Sequence, residues 1–367
     1  MQTHPHIMQC TEDVPCPWGM SKSFASTYAG FFGWEDQSFE VSNIPTPYKR
    51  KLEFDLVAKI SRGLDDCAKH HAKSCRISNK APPPSRLLDV GSTSGEVRLV
   101  ETKLLQTAVQ KYNCLSHCWG TQQPLETTRQ NYSRHLTSIA WDSIPKTFQD
   151  AIQLTRGLGV QFLWIDSLCI IQHDDKDWER ESADMCNVYG NSYLTIAATS
   201  SPDCHGGLKY WENRELFKMT GFTADKSPVK ISLVAQPTKG FIKGDTPLLH
   251  RAWALQERIM SPRVVHFLPA GVVLECNGGW LAEFPERQLK SGHVEKTKHH
   301  EAISSNSIET KANMWRNLIE TYSQSALSFA SDKLPAISGL AQQMAKHRAG
   351  ARYLAGLWSD TLTTDLL

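Results

Sequence analysis

Three short apolar runs alternate with two amphipathic patterns between residues 112 and 200, and this alternation constrains the fold more than any other feature of the chain. Short apolar runs bounded by glycine or polar residues predict buried strands, whereas apolar residues at intervals of three and four predict helices. Strands and helices that alternate at this spacing are typical of an α/β protein with a parallel sheet. The strands are predicted at 112–119, 161–166 and 192–200, and the helices at 145–158 and 174–190.

Further elements are predicted on both sides of this core. A turn rich in glycine and serine joins two apolar runs before residue 102, and a second pair of runs follows residue 262, so each pair predicts a β-hairpin. These hairpins span 87–101 and 263–276, one more strand is predicted at 230–236, helices are predicted at 51–75, 251–260, 313–330 and 333–346, and a polar loop insertion at 286–313.

The proline-rich stretch at 81–85 is the best boundary in the sequence, because three consecutive prolines cannot continue a helix. We expect residues 1–85 to form an N-terminal extension, irregular over 1–50 and helical after it. Residues 86–360 are expected to form the main domain. Residues 361–367 are interpreted as the truncated start of a C-terminal region.

Charge and composition limit the partners of the chain. It carries 40 Lys and Arg against 38 Asp and Glu, so a role as a nucleic-acid reader is disfavoured. No apolar run reaches the length of about 18 residues that a membrane span needs. The first 18 residues lack the basic and apolar regions of a signal peptide. We therefore expect a cytoplasmic protein whose ten cysteines are thiols rather than disulfides.

The ends of the predicted strands supply the first candidate site. Ligands bind outside the carboxyl ends of the strands in an open parallel sheet. Ser116 and His117 lie at the end of the first strand, and Asp166 lies at the end of the second. A hydroxyl, an imidazole and a carboxylate near one crevice are suited to acid–base chemistry. The alternative is that Ser116 and Asp166 cap loops or helices while His117 is hydrogen-bonded in the core.

The predicted helix at 251–260 supplies the second candidate. Trp253 and Glu257 are four residues apart and therefore share a helix face. A carboxylate beside a large aromatic ring suits cleavage of a glycosidic bond, since the ring stacks on the leaving base and the carboxylate stabilises an oxocarbenium-like centre. The alternative is a surface Glu257 that pairs with Arg251 or Arg258.

Cys67, His71 and Cys75 follow one another at intervals of four, which would place them on one face of the predicted helix. The pattern is similar to a metal site, but the closed four-ligand spacing of a zinc module is absent. A fourth ligand would have to come from elsewhere in the chain. We therefore expect no metal, and interpret these residues as buried thiols beside a capping histidine.

The ordered motifs of the chain resemble those of the fungal heterokaryon-incompatibility (HET) domain over residues 86–360. The family's L-S-Y-x-W-G motif occurs here with His117 in place of the tyrosine. The segments that carry the resemblance are YNCLSHCWG (112–120), IPKTFQDAIQLTRGLG (144–159), the run from 162 to 201 and RAWALQERIMSPRVVHF (251–267), with RLLDVG (86–91) and YLAGLW (353–358) at the flanks.

This resemblance implies a Rossmann-like or flavodoxin-like core, distantly similar to the TIR domain, with the role of a cell-death effector in nonself recognition. TIR-like relatives include enzymes that split the nicotinamide–ribose bond of NAD with a glutamate of a W-x-x-x-E helix. Trp253 and Glu257 match that spacing, and Ser116 and Asp166 match family motif positions. The chain ends at Leu367 inside a motif that usually runs on, which implies either a missing C-terminal region or a short member.

The first hypothesis is an NAD-cleaving effector that needs no cofactor and has NAD as its substrate. Glu257 would stabilise or capture the ribosyl cation, mainly by electrostatics and positioning. Ser116 and Asp166 would hold ribose hydroxyls. The other expected binding residues are Trp119 and Trp253 as stacking rings, Arg251 at the pyrophosphate, and Gly120 beside them.

Two further hypotheses remain open from the sequence. In one, the domain is a non-enzymatic signalling module that forms homo-oligomers or binds a protein partner in nonself recognition. In the other, it is a small-molecule enzyme of secondary metabolism, since short members of the family also look like proteins encoded beside natural-product genes. His117 and Asp166 would then be the acid–base pair.

Overall fold

The computed structural model describes most of the chain from residue 54 onward. The segment predicted to be irregular at 1–50 lies outside the described residues. The described ranges are 54–77, 82–91, 96–121, 125–210, 215–222, 228–234, 246–268, 271–281 and 296–366.

A central sheet with four parallel strands organises the described residues, as the sequence predicts. Two antiparallel hairpins extend it, one at each edge. In spatial order the eight strands are β12 (Gly279–Leu281), β11 (Gly271–Cys276), β10 (Arg263–Leu268), β7 (Leu194–Ala197), β3 (Tyr112–Ser116), β5 (Phe162–Trp164), β1 (Arg86–Asp89) and β2 (Arg98–Glu101). The parallel pairs are β10 with β7, β7 with β3, and β3 with β5.

The three innermost strands, β7, β3 and β5, are buried along their whole length, which explains their continuous apolar sequences. Strands of this kind are covered by helices on both faces of the sheet. The outer hairpins confirm the prediction from the paired apolar runs. The sequence did not show that β10 lies parallel to β7, so that the second hairpin continues the central sheet.

Ten helices flank the sheet within the described ranges. The helix at Asp175–Gly190 begins with Asp174 as its cap, because the carboxylate accepts a hydrogen bond from the Asp177 backbone N–H. The helices are α1 (Phe54–His70), α2 (Tyr132–Thr137), α3 (Lys146–Gly157), α4 (Asp166–Cys169), α5 (Asp175–Gly190), α6 (Ala252–Met260), α7 (Lys296–Ser304), α8 (Ile308–Ser323), α9 (Pro335–Ala345) and α10 (Leu362–Asp365).

The structure corrects two predictions. The polar stretch at 286–313 is not a loop throughout, because α7 and the first part of α8 lie within it. The single strand predicted at 230–236 is one half of an antiparallel hairpin. The short elements are β4 (Thr127–Thr128) paired with β6 (Ile171–Gln172), the hairpin of β8 (Glu215–Phe222) and β9 (Pro228–Val234), and the pair β13 (Tyr353–Leu354) and β14 (Leu357–Trp358).

The apolar core has two main parts. One lies between the sheet and helices α1, α3 and α5, and the other joins α6 to α8 and α9. Helix α6 lies between them, since Leu255 and Ile259 pack in the helical part while Ala254 packs against Ala197 of β7 and Val264 of β10. None of the described helices is long and apolar enough to cross a membrane.

Candidate active site

The carboxyl ends of β3 and β5 meet the sheet-facing side of α6. Ser116 is the last residue of β3, and Asp166 is the first residue of α4, two residues after β5 ends. Glu257 lies three residues after Ala254 on α6, and these positions share a helix face. Because Ala254 packs against the sheet, the Glu257 side chain is directed toward the end of β3.

Glu257 is tied to β3 by a hydrogen bond from the Ser116 hydroxyl to its carboxylate. The residue is only 4% exposed. Burial raises the pKa of Glu257 to about 7, with a smaller increase from Asp166, while Arg251 and hydrogen bonds from Ser116 and Tyr189 oppose the shift. A carboxyl group with a pKa near neutrality can exchange a proton at physiological pH, as a general acid or base must.

Asp166 and Trp119 form the more open side of the site. The Trp119 indole N–H donates to Asp166 Oδ2 at 2.9 Å, and the Ser167 backbone N–H donates to Oδ1 at 2.8 Å. The Asp166 side chain is 17% exposed to solvent, so its carboxylate can still reach a ligand. The sequence therefore predicted correctly that residues from two strand ends meet, and the indole–carboxylate contact fixes their relative position.

His117 lies in the core behind this surface. Its ring packs edge-to-face on Phe148 with centroids 4.8 Å apart, and burial lowers its pKa to about 4. Nδ1 is 3.7 Å from Asp166 Oδ1, beyond hydrogen-bond distance, and Nε2 has no hydrogen-bond partner among the described residues. The imidazole is therefore neutral at physiological pH. His117 is therefore less suited to an acid–base role than Glu257, whose pKa is near 7.

Arg251 brings positive charge to the site from the residue before α6. Its guanidinium donates to the His117 carbonyl oxygen and also lies close enough to Glu257 to oppose the rise in that pKa. The alternative prediction, that Glu257 is a surface residue paired with Arg251 or Arg258, is wrong. Glu257 is buried, and Arg258 instead pairs with Glu275 through two contacts of 2.8 Å.

Gly120 and Trp253 are the remaining predicted binding residues. Gly120 has a φ of +81°, and a Cβ there would meet Asp203 Cβ at 2.5 Å, so only glycine fits this turn after Trp119. The Trp253 indole N–H donates to Asp332 Oδ2 at 3.0 Å, and its ring packs between the two parts of the core. No hydrogen bond within the described ranges joins Trp253 to the other site residues.

Tyr189 is a site residue that the sequence does not predict. Its hydroxyl lies 3.1 Å from the Leu115 carbonyl oxygen and within reach of the Glu257 carboxylate, and it donates its one proton to either of these acceptors. Tyr189 is on the last turn of α5, which the sequence identifies as a helix without showing which face meets β3. Only the apolar spacing from Met185 to Tyr189 indicates that this residue faces inward.

The described residues thus form a largely parallel α/β sheet with a buried carboxyl group, a hydroxyl and a partly exposed aspartate at the carboxyl edge, which is where open sheets of this class bind ligands. The family model for heterokaryon incompatibility protein (HET) matches residues 112–257. Residues 112–257 thus resemble a heterokaryon-incompatibility domain, and Ser116, Asp166 and Glu257 all lie within the match. No curated protein and no solved structure matches the chain.

The family model matches a shorter part of the chain than the motif segments that carry the resemblance. It includes the segments at 112–120, 144–159 and 162–201, and it ends within the fourth, at Glu257. It supports a function of the heterokaryon-incompatibility type. The flanking segments at 86–91 and 353–358 lie outside it.

Proposed function

We propose that this protein is an effector of heterokaryon incompatibility that hydrolyses the nicotinamide–ribose bond of NAD, with Glu257 as the catalytic carboxylate. The observation that carries the proposal is the buried Glu257 carboxyl, whose pKa is about 7 and which Ser116 holds at the ligand-binding edge of the sheet. The match of residues 112–257 to the HET family suggests the biological setting. The chemistry of the carboxylate suggests the reaction.

The reaction requires little acid catalysis of the leaving group. The C1′–N bond breaks with its electron pair departing on nicotinamide, which leaves as a neutral base. The ribosyl carbon becomes cationic, and a carboxylate beside it stabilises that charge in the way established for glycoside hydrolysis. Water then adds to C1′, and its proton passes to Glu257 and on to solvent. ADP-ribose, nicotinamide and a proton are the products.

The neighbouring groups suit the other parts of such a substrate. Asp166 keeps an accessible carboxylate that can accept hydrogen bonds from ribose hydroxyls, while the Trp119 ring is held beside it. Arg251 supplies a positive charge for the pyrophosphate, and the turn at Gly120, which packs closely against Asp203, holds the chain after Trp119 in place. Trp253 has the weakest support as a stacking ring, because its N–H is bonded to Asp332.

Nicotinamide release from NAD tests the proposal. Purified wild type, Glu257→Gln and the control Glu320→Gln are incubated with NAD over a wide range of protein concentrations, because activity that depends on assembly is absent in dilute solution. Glu320 is an exposed glutamate of α8, so its neutralisation changes charge without changing the site. We expect release by wild type and control and a loss of at least ~100-fold in Glu257→Gln. Equal rates in the three proteins, or none in any, would refute it.

A second candidate is a non-enzymatic module that acts by assembling. The low exposure of Glu257 favours it, since the Ser116–Glu257 contact also serves to pack α6 onto β3. Cell killing by expressed protein separates the two candidates. Killing by a folded Glu257→Gln protein that lacks NAD hydrolysis would support the assembly role, whereas loss of both together supports the enzyme.

A further inference from the structure

Three cysteines and a histidine from distant parts of the chain meet beside the sheet edge. Cys67 lies in the last turns of α1, His71 follows the end of that helix, and Cys276 is the last residue of β11. The ligand atoms of these three residues all lie within 4.8 Å of one another. Cys75 completes the group, because its thiol hydrogen-bonds to the thiols of both Cys67 and Cys276.

The sequence alone predicted only part of this arrangement. Helix α1 ends at His70, so His71 and Cys75 do not continue its face as expected. They lie in a turn in which the Cys75 N–H donates to the His71 carbonyl oxygen at 2.9 Å. Cys276, more than 200 positions later, is the missing fourth residue, and no local spacing could have indicated it.

We propose that Cys67, His71, Cys75 and Cys276 bind one zinc ion in a Cys₃His site. Three sulfur ligands and one imidazole nitrogen are an established set for structural zinc. Three of the four come from the α1 end and its following turn, and the fourth comes from the strand that packs against them. This site is separate from the Ser116–Glu257 site and lies outside residues 112–257.

The dimensions of the cluster fit a tetrahedral ion. Zinc–sulfur bonds of about 2.3 Å place sulfur ligands roughly 3.8 Å apart in a tetrahedron, with nitrogen somewhat nearer. His71 Nδ1 is 3.2 Å from Cys276 Sγ, and the Cys67 sulfur lies within the same 4.8 Å limit. The ligand atoms of Cys67, His71 and Cys276 are therefore close enough to share one ion, and the Cys75 sulfur would supply the fourth ligand. Zinc binding displaces the thiol protons to solvent.

The charge around the cluster favours thiolates. Arg263 Nε donates to Cys67 Sγ at 3.3 Å, and its Nη2 donates to the Cys75 carbonyl oxygen at 3.1 Å. No carboxylate of the described residues pairs with this buried guanidinium. Three thiolates and a neutral imidazole around Zn²⁺ carry one net negative charge, which Arg263 would balance. Neutral thiols would leave the buried cation without a counter-charge.

The histidine is also held in place by its surroundings. A Cβ on Gly278 would lie 2.3 Å from the His71 ring, so the imidazole rests directly on the β11–β12 turn. Asn277 of the same turn donates to the Ser74 carbonyl oxygen at 2.9 Å. Outer contacts of this kind orient metal ligands. A zinc ion here would join the N-terminal helix to the sheet edge.

Metal content of the full-length protein tests the site. We expect about one zinc per chain in protein purified under reducing conditions, and loss of that zinc in Cys276→Ser. Cys204→Ser is the matched control, because Cys204 is also a buried free thiol but lies outside the cluster. Zinc retained by Cys276→Ser and Cys75→Ser alike would refute the proposal.

Cobalt titration of chelator-treated wild type gives a readout that needs no variant. A tetrahedral site with three thiolates produces intense thiolate-to-cobalt absorption in the near ultraviolet and d–d bands in the visible. We expect both, and a thermal midpoint that rises with added Co²⁺ or Zn²⁺, because an ion that binds only the folded state stabilises it. No thiolate-to-cobalt band, or two fewer free thiols per denatured chain because a disulfide has formed, would overturn it.

Discussion

The hydroxyl of Ser116 donates a hydrogen bond to the carboxylate of Glu257, and this contact joins the last residue of β3 to the middle of α6. A donor to the ionised form lowers the pKa of a carboxyl group. Ser116 and Arg251 therefore oppose the effect of burial, which raises the pKa of Glu257. The balance leaves that pKa near 7, where small changes in the surroundings alter the charge state.

Ser116→Ala should move the pH dependence of NAD hydrolysis to higher pH. The lost hydrogen bond to a charged group is worth roughly 1.5–3 kcal/mol, which corresponds to a pKa increase for Glu257 of about one to two units. The acidic limb of the rate profile, which reports ionisation of Glu257, then rises by the same amount. Ser304→Ala, at an exposed end of α7, is the control. An unchanged limb with a lower plateau would show that Ser116 acts on the substrate alone.

Glu257 should also make folding stability depend on pH. Its folded-state pKa of about 7 exceeds its ordinary value of 4.5, so the folded state holds this proton more tightly than the unfolded state. The resulting stabilisation is complete below pH 4.5 and is lost as the pH rises through 7. Glu257→Gln, which cannot ionise, should gain up to about 3 kcal/mol over wild type between pH 4.5 and pH 8. Urea titrations of both proteins at several pH values measure this difference.

An unchanged difference between the two proteins across that range would contradict the assignment of a raised pKa. Groups that titrate equally in both proteins cancel in this comparison. The outcome does not depend on enzymatic activity, so it tests the electrostatics of the site separately from the proposed reaction.

The parts of the fold that the sequence predicted are those with local, regular patterns. The apolar runs of β3, β5 and β7 identified the strands, and the strand-end rule then selected Ser116 and Asp166. The contact between Ser116 and Glu257 spans 141 positions. It depends on how α6 returns to the sheet, which no local pattern encodes. The resemblance of the motifs to the HET family, rather than the periodicity of the sequence, favoured a functional Glu257 over a surface Glu257.

Helix α7 shows why the prediction of a loop at 286–313 was wrong. Two of its buried residues, Lys296 and His299, are polar, so the apolar stripe expected of a helix is missing. Lys296 Nζ donates to the carbonyl oxygens of Arg258 and Ile259 at the end of α6, which satisfies the ammonium group inside the protein. Because two of its buried positions hold polar residues, this helix has a polar composition like that of a loop.

Loss of Arg86 should destabilise the protein far more than loss of a nearby surface arginine. Arg86 Nη2 lies 2.5 Å from Asp177 and 3.3 Å from Glu181, all three are buried, and the contacts join β1 to α5. Arg86→Ala leaves two buried carboxylates with Arg180 as their one cationic partner among the described residues, at a cost of roughly 3 kcal/mol.

The control for this prediction is Arg98→Ala on the neighbouring strand β2. Arg98 pairs with Asp89 at 3.3 Å, but its side chain is 51% exposed, so the pair contributes about 0–1 kcal/mol. Denaturant unfolding at neutral pH compares the two variants. Similar losses in both would show that the Arg86 contacts are screened as effectively as a surface pair.

Two glycines allow backbone strain to be separated from steric fit at the site. Gly120 and Gly159 both have positive φ values, +81° and +65°, so alanine at either costs roughly 1–2 kcal/mol of backbone strain. A Cβ at Gly159 meets nothing within 4 Å, whereas one at Gly120 meets Asp203 Cβ at 2.5 Å. Gly120→Ala must therefore also displace the loop, and with it the Trp119 indole that binds Asp166. We expect Gly159→Ala to lose stability only. Gly120→Ala should lose more stability and should also raise KM for NAD. Equal unfolding free energies and equal KM values in the two variants would contradict this role for the Gly120 turn.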